Sequence, residues 1–132
     1  MRTHGKPLTG GCACGALRFT ASSDPLRTGL CHCLVCRKAH ASAFNPFVVF
    51  PAEAVEVTGA PRSWFSSSGY DRRFCGDCGS RILAVNGDEV EISLGSLDEP
   101  GLLAPEYESW VSRREPWLRP LDTPQHTANR LA

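Results

Sequence analysis

No run of apolar residues in this 132-residue chain is long enough to cross a bilayer, so a transmembrane helix is excluded. Charge of one sign does not dominate either. Lys and Arg together number 14, as do Asp and Glu, which gives a formal net charge of zero. Nothing therefore favours bulk binding to nucleic acid or to a membrane surface. Met1-Arg2-Thr3-His4-Gly5-Lys6-Pro7 has no apolar stretch after its basic residues, so no secretory signal is recognisable. A cytoplasmic location is the expectation, with thiols kept reduced. Internal repeats, linkers and low-complexity segments are also missing, and stretches that favour helix are few. What remains is a single domain over 1–132, with a core of about 8–120 and a tail of about 121–132 that wraps or frays.

The cysteines carry the most information. There are seven, an odd number, in three tight groups: Cys12-x-Cys14, Cys31-x-Cys33-x-x-Cys36 and Cys75-x-x-Cys78. Thiols two or three residues apart suit one metal ion better than a disulfide framework. Zinc closes a structural site with four ligands and keeps a position open when it has three. Two zinc ions per chain are expected, one structural and one catalytic.

The rest of the chain reads as mainly β. Stretches rich in β-branched and aromatic residues alternate with Gly, Pro, Ser and Asp. Strands are expected over Ala16–Ala21, Leu26–Cys31, Phe44–Phe50, Ala54–Thr58, Arg62–Ser66, Ser80–Val85 and Val90–Gly95. Asn86-Gly87-Asp88 suits a hairpin turn, because Asn-Gly tolerates positive φ. Cys33–His40 lacks Gly and Pro and predicts a two-turn helix, and Pro100–Pro105 a single turn.

Cys12 and Cys14 sit in Gly10-Gly11-Cys12-Ala13-Cys14-Gly15, and Cys75-Gly76-Asp77-Cys78 is followed by Gly79. Glycine permits the tight turns that aim backbone N–H groups at thiolate sulfurs. A closed site of Cys12, Cys14, Cys75 and Cys78 ties the start of the domain to its middle, and a metal there adds folding free energy. A thioredoxin-like redox role for Cys75-x-x-Cys78 lacks the surrounding βαβ pattern.

Cys31, Cys33 and Cys36 can meet one ion unaided, which makes them the open site. His32, between two ligands, is expected to point away. His40, four residues after Cys36, shares its helical face and is a candidate fourth ligand, pocket wall or proton carrier. Three thiolates on Zn²⁺ leave one net negative charge. That makes a poorer Lewis acid than an ion held by imidazoles, but a good seat for a further thiolate. A thiol held there is deprotonated near neutral pH yet nucleophilic. Arg37 and Lys38 are candidates to balance the anionic centre or to hold a carboxylate of the thiol substrate. Arg72 is expected to pair with Asp98 or Glu99, or to face the pocket. Trp110 and Trp117 are expected to close the core or an edge, and Asp98 to bond neighbouring backbone.

These residues resemble the glutathione-dependent formaldehyde-activating enzymes, whose domain is shared with centromere protein V. The resemblance runs from Gly10 to about Pro124. It rests on Gly-Gly-Cys-Ala-Cys-Gly (10–15), Cys-His-Cys-Leu-Val-Cys-Arg-Lys (31–38), Ser42-Ala43-Phe44, Ser68-Gly69 with Arg72, Phe-Cys-Gly-Asp-Cys-Gly-Ser (74–80), Gly-Ser-Leu-Asp-Glu-Pro (95–100), Trp110 and Pro116-Trp117. It implies a zinc-pinned β-tent of short antiparallel sheets with minimal helix. It also implies the same division of the cysteines, Cys12, Cys14, Cys75 and Cys78 being structural and Cys31, Cys33 and Cys36 catalytic. The implied activity joins glutathione to formaldehyde, a carbon–sulfur lyase reaction in reverse. Two departures from the common pattern stand at His40-Ala41, where Thr-Gly or His-Gly is frequent, and at Glu108-Ser109-Trp110, where His-Ile-Trp or His-Ile-Phe is. The competing reading is a non-enzymatic zinc module that binds a protein partner. Methionine sulfoxide reduction, a third, lacks a resolving cysteine outside the metal groups.

Overall fold

The computed structural model describes residues 6–130. The stretch read for a secretory signal therefore lies largely outside the described residues. Ten strands and one α-helix follow in the order β1 (Leu8–Gly11), β2 (Arg18–Ala21), β3 (Arg27–Cys31), α1 (Leu34–His40), β4 (Asn45–Pro51), β5 (Val55–Thr58), β6 (Arg62–Ser67), β7 (Tyr70–Phe74), β8 (Arg81–Asn86), β9 (Glu89–Ser93) and β10 (Glu108–Ser109). The protein is mainly β, as its composition predicts. Three strands form a small sheet in the order β1-β2-β5, and seven form a larger one, β10-β3-β4-β9-β8-β7-β6. Among the described strands every pairing is antiparallel except β10, which runs parallel to β3.

Alternation explains how the large sheet is used. In β9, Val90 and Ile92 are buried while Glu89, Glu91 and Ser93 point to the other face. Cross-strand partners share a face, so the register Val48↔Ile92 and Phe50↔Val90 continues the apolar side into β4. That side packs against Leu8, Leu17 and Phe19 of the small sheet and its turn, and this is the core. The opposite face carries the row Arg27–Val49–Glu91–Ala84–Arg72 across five strands. Charged residues in the middle of a sheet face need partners or a wet cavity. Here they have both.

Helix α1 starts at Cys33, whose sulfur accepts the Cys36 N–H. It ends at Ala41, left-handed at φ 49°, whose N–H reaches the Arg37 and Lys38 carbonyls. The tail wraps. Glu108 and Trp110 donate their N–H groups to the carbonyls of Pro124 and Ala128, and His126 donates to Glu108.

Three strands escaped the sequence reading. β7 contains Asp71-Arg72-Arg73, which reads as loop; in the sheet Arg73 Nε donates to Asp71 and Arg72 finds buried partners. β1 and β10 are short, and β1 is half glycine. Between Pro100 and Pro105 lies a turn at Gly101, φ +84°, and no helical turn. The 3-10 turns fall instead at Ala52–Ala54, Leu94–Ser96 and Val111–Arg113. No helix of the described residues is long and apolar enough to cross a membrane.

Candidate metal centres and active site

Two cysteine groups assemble as the spacing predicts: Cys12, Cys14, Cys75 and Cys78, and Cys31, Cys33 and Cys36. Within each, the sulfurs lie within 4.8 Å of one another. All seven are free thiols. The four-cysteine group joins the turn after β1 to the turn after β7, and so joins the two sheets. Cys12 and Cys75 are buried, Cys14 and Cys78 exposed. Backbone N–H groups of Leu17 and Asp77 point at Cys12 and Cys75 Sγ, at 3.2 and 3.4 Å. The Ser80 hydroxyl sits 3.2 Å from Cys78 Sγ and accepts the Ala13 N–H at 3.0 Å, which stitches the two turns together. Gly15 and Gly79 complete these turns at φ +84° and +80°, the left-handed region that glycine enters without strain. A cluster of sulfurs met by N–H donors fits a metal ion, since thiolates bind it and the donors offset their charge.

The second group stands where β3 passes into α1. Cys31 is the last residue of β3, Cys33 caps the helix and Cys36 lies in its first turn. Two buried donors from other strands reach Cys36 Sγ: Asn45 Nδ2 of β4 at 3.7 Å and Arg72 Nη2 of β7 at 3.8 Å. Arg72 is only 6% exposed. Its Nε donates to Ser66 Oγ at 2.8 Å, and its guanidinium lies 4.8 Å from the centroid of the Tyr70 ring. The buried Arg72 charge favours the thiolates of Cys33 and Cys36, while hydrogen bonds within the cluster and burial push the Cys31 and Cys36 thiols up. The proton leaves Cys33 most easily, because the Cys31 and Cys36 thiols donate to its sulfur. Here too the donor set fits a metal ion.

Cys31 and Cys36 open onto a cavity of about 410 Å³ on the polar face of the large sheet. Tyr70, Glu91 and Arg27 line it from the strands, and Tyr107 and Arg130 from the C-terminal segment. Arg27 is held by Glu89, with Nη2 2.6 Å from Oε1.

The basic pair expected there is placed elsewhere. Arg37 donates to Glu115 and to the Arg113 carbonyl. With Lys38 and Trp117 it lines a separate surface depression. Helical geometry is the reason: residues one and two after Cys36 project about 100° and 200° around the axis from it. His40 also leaves the thiol cavity, lining two neighbouring depressions with Asn45 and Arg81. Burial, aided by Arg81 and Arg72, pushes its imidazole down to about 4, so it is neutral at pH 7. His32 is turned away from the thiol cluster, as expected, and its Nε2 meets Glu108 Oε1 at 2.7 Å, both residues 1% exposed. Asp98 holds Arg18 and Thr9 rather than nearby backbone, which leaves Arg72 to the cavity side. Trp117 is 68% exposed and closes no core.

A profile of the glutathione-dependent formaldehyde-activating enzymes matches residues 7–113. The chain belongs to that family. No curated protein matches at comparable stringency. Among solved structures, a crystal structure of a Rhodobacter sphaeroides protein is similar, with a TM-score of 0.60 and 19% identity, covering 70% of this chain and 90% of that one. At that identity the likeness speaks for the fold. The family match ends before Pro116-Trp117, in keeping with the exposure of Trp117.

Sequence reasoning missed Arg27, Tyr70, Glu91 and Glu108. One signal was available. Glu89-Val90-Glu91-Ile92-Ser93 alternates polar and apolar strictly, which puts two acids on one face of a strand.

Proposed function

We propose that the cavity beside Cys31, Cys33 and Cys36, which would hold a zinc ion, joins a small thiol to a small aldehyde and parts them again. A second zinc, held by Cys12, Cys14, Cys75 and Cys78, would serve the fold. One observation carries this reading: a three-sulfur group, short of the four that close a structural site, opens onto a cavity large enough for a small peptide thiol. A zinc ion in the three-cysteine group would supply the positive charge that keeps a substrate thiol deprotonated near neutral pH.

The chain does the rest. Asn45 and Arg72 fix Cys36 and lower the electrostatic cost of gathering thiolates. The cavity holds the thiol with its sulfur beside Cys31 and Cys36. Arg27 and Arg130, rather than Arg37 and Lys38, stand where a carboxylate of the thiol can be met, Arg27 keeping a buried Nε without a partner. The substrate thiolate attacks the aldehyde carbon, the carbonyl oxygen takes a proton, and a hemithioacetal leaves. The family points to glutathione as the thiol and formaldehyde as the aldehyde, and on our reading the reaction is of the carbon–sulfur lyase type. A reducing compartment such as the cytoplasm suits seven free thiols.

Thiols and aldehydes combine unaided, so the test is a rate. Exchange between free aldehyde and S-hydroxymethyl adduct, followed by NMR, should be faster with protein than in buffer and should fall to the buffer rate for Cys33→Ser. A rate at the buffer level across glutathione and other small thiols rejects the enzyme and favours the partner-binding module.

A further inference from the structure

Glu91 projects from the middle of the large sheet into the thiol cavity, where it holds neither the cysteines nor the arginines. It is the acid of the row Arg27–Val49–Glu91–Ala84–Arg72, and neither arginine takes it as a salt-bridge partner. Arg27 is occupied by Glu89, and Arg72 by Ser66 and Cys36. The partner of Glu91 is neutral: the Tyr70 hydroxyl donates to its Oε1. Tyr70 lines the same cavity, from β7, as do Cys31 and Cys36. A carboxyl group with no described cation at salt-bridge distance, bound by a phenol and placed on the wall of a cavity that ends in thiols, is built to change its protonation state.

Resting on the thiol–aldehyde reading, we propose that Glu91, positioned by Tyr70, is the catalytic residue that hands a proton to the aldehyde oxygen and takes it back from the next thiol. As the substrate C–S bond forms, the carbonyl π pair moves onto oxygen and the Glu91 carboxyl proton follows it, giving the hemithioacetal hydroxyl and a Glu91 carboxylate. The carboxylate then accepts the proton of the incoming thiol, which restores the acid and yields the next thiolate. Over the cycle one thiol and one aldehyde become one hemithioacetal, with no proton gained or lost. In reverse, the carboxylate removes the hydroxyl proton as the C–S bond breaks.

The groups that face Glu91 agree with this task. Burial pushes its carboxyl up from the ordinary range. The Tyr70 hydroxyl, Arg72 and Arg27 pull it back only in part, and Glu89 two residues away pushes it further up. Arg81 and His40 border it on the side of α1, and His40 carries no charge there at pH 7. Tyr107 and Arg130 face it across the cavity. A carboxyl held above its ordinary range keeps its proton for the forward step more readily and recovers it with less loss.

The experiment measures the exchange rate against pH for the metal-loaded wild type, Glu91→Gln and Tyr70→Phe, with thiol affinity and thermal unfolding measured alongside. Glu91→Gln should lose roughly 10²–10⁴-fold in rate while it binds thiol as before. In the wild type the forward rate should fall at high pH as Glu91 ionises. Tyr70→Phe removes a donor that stabilises the carboxylate, so that fall should move to higher pH. Difference infrared spectroscopy of the protein without substrate should show a carboxylic acid carbonyl band that titrates with the same midpoint and is absent from Glu91→Gln. A Glu91→Gln rate and pH profile equal to wild type overturns the inference and leaves the thiol–aldehyde reading intact. A wild-type rate at the buffer level overturns both. Should Glu91→Gln fail to fold, a wild-type band whose midpoint does not match the fall in rate, or a Tyr70→Phe fall that does not move upward, overturns the inference by itself.

Discussion

Replacing Glu108 by glutamine should destabilise the protein by about 3–5 kcal/mol, a large share of the ~5–15 kcal/mol that holds a domain of this kind. The number follows from counting donors. Glu108 is 1% exposed, and its two oxygens meet four donors. Oε1 faces His32 Nε2 at 2.7 Å and Arg114 Nη2 at 3.4 Å. Oε2 takes the Leu121 N–H at 2.7 Å and Gln125 Nε2 at 2.9 Å. A carboxylate accepts all four. A glutamine amide has the same shape but one accepting oxygen, and its NH₂ group faces two donors whichever way it is turned. Two bonds to a charged acceptor are lost, each worth ~1.5–3 kcal/mol, and the largely buried Arg114 loses its counter-charge. The melting temperature, at matched metal content, should fall by roughly 10–20 °C. The exposed Glu56→Gln should change stability by no more than about 0.5 kcal/mol. The effect must also fade in acid. Burial pushes the Glu108 carboxyl up, but Gln125, His32, the Leu121 N–H and Arg114 outweigh it and hold the group well below the carboxylate range. A lowered acid contributes its full stabilisation above its unfolded value of about 4.3 and loses it as pH falls toward the folded value. The gap between wild type and Glu108→Gln should therefore be constant near neutrality and shrink below about pH 4. A loss under ~1 kcal/mol at neutral pH would refute the donor count.

The two cysteine groups should separate by variant. Cys75→Ser opens the group that ties the sheets and should unfold the protein or lower its melting temperature sharply. Cys33→Ser should keep the fold and lose exchange activity, with metal analysis dropping from two ions per chain to one. Equal loss of stability in both variants would show that the division between the groups is wrong. Ala41→Gly should raise stability by about 0.5–1 kcal/mol in denaturant unfolding, because alanine bears a left-handed backbone at φ 49° where glycine is at ease. No gain there would mean that the C-cap of α1 is already relaxed.

The cysteine groups were legible because their ligands are packed into short turns, where spacing alone limits which sulfurs can meet. The hairpin at Asn86-Gly87 was legible for a similar reason: Gly87 takes φ +64° in the turn between β8 and β9. β7 was illegible because propensity is local, and Asp71, Arg72 and Arg73 find their partners only after the sheet has formed. The wall of the cavity was illegible for a stronger reason. Arg27, Tyr70, Glu91 and Arg130 come from four separate segments, and only the strand register and the wrapping tail bring them together. Arg37 and Lys38 misled because adjacency to Cys36 in sequence is divergence on a helix. His40 shares the helical face of Cys36 but ends beside Arg81, outside the thiol cavity.

The sulfurs of Cys12 and Cys75 belong to residues 63 positions apart, and everything from β2 to β7 lies on the loop between them. Closing a loop of that length costs an open chain about 4 kcal/mol in entropy. A zinc ion in a four-thiolate group binds with about 10–16 kcal/mol, more than enough to offset it. The cavity is built from strands on that loop and beyond it, so it takes shape only when the ends have met. With zinc in the four-cysteine group, as proposed, the supply of one trace element would govern how many copies are folded, and starvation for it would silence the cavity through the architecture.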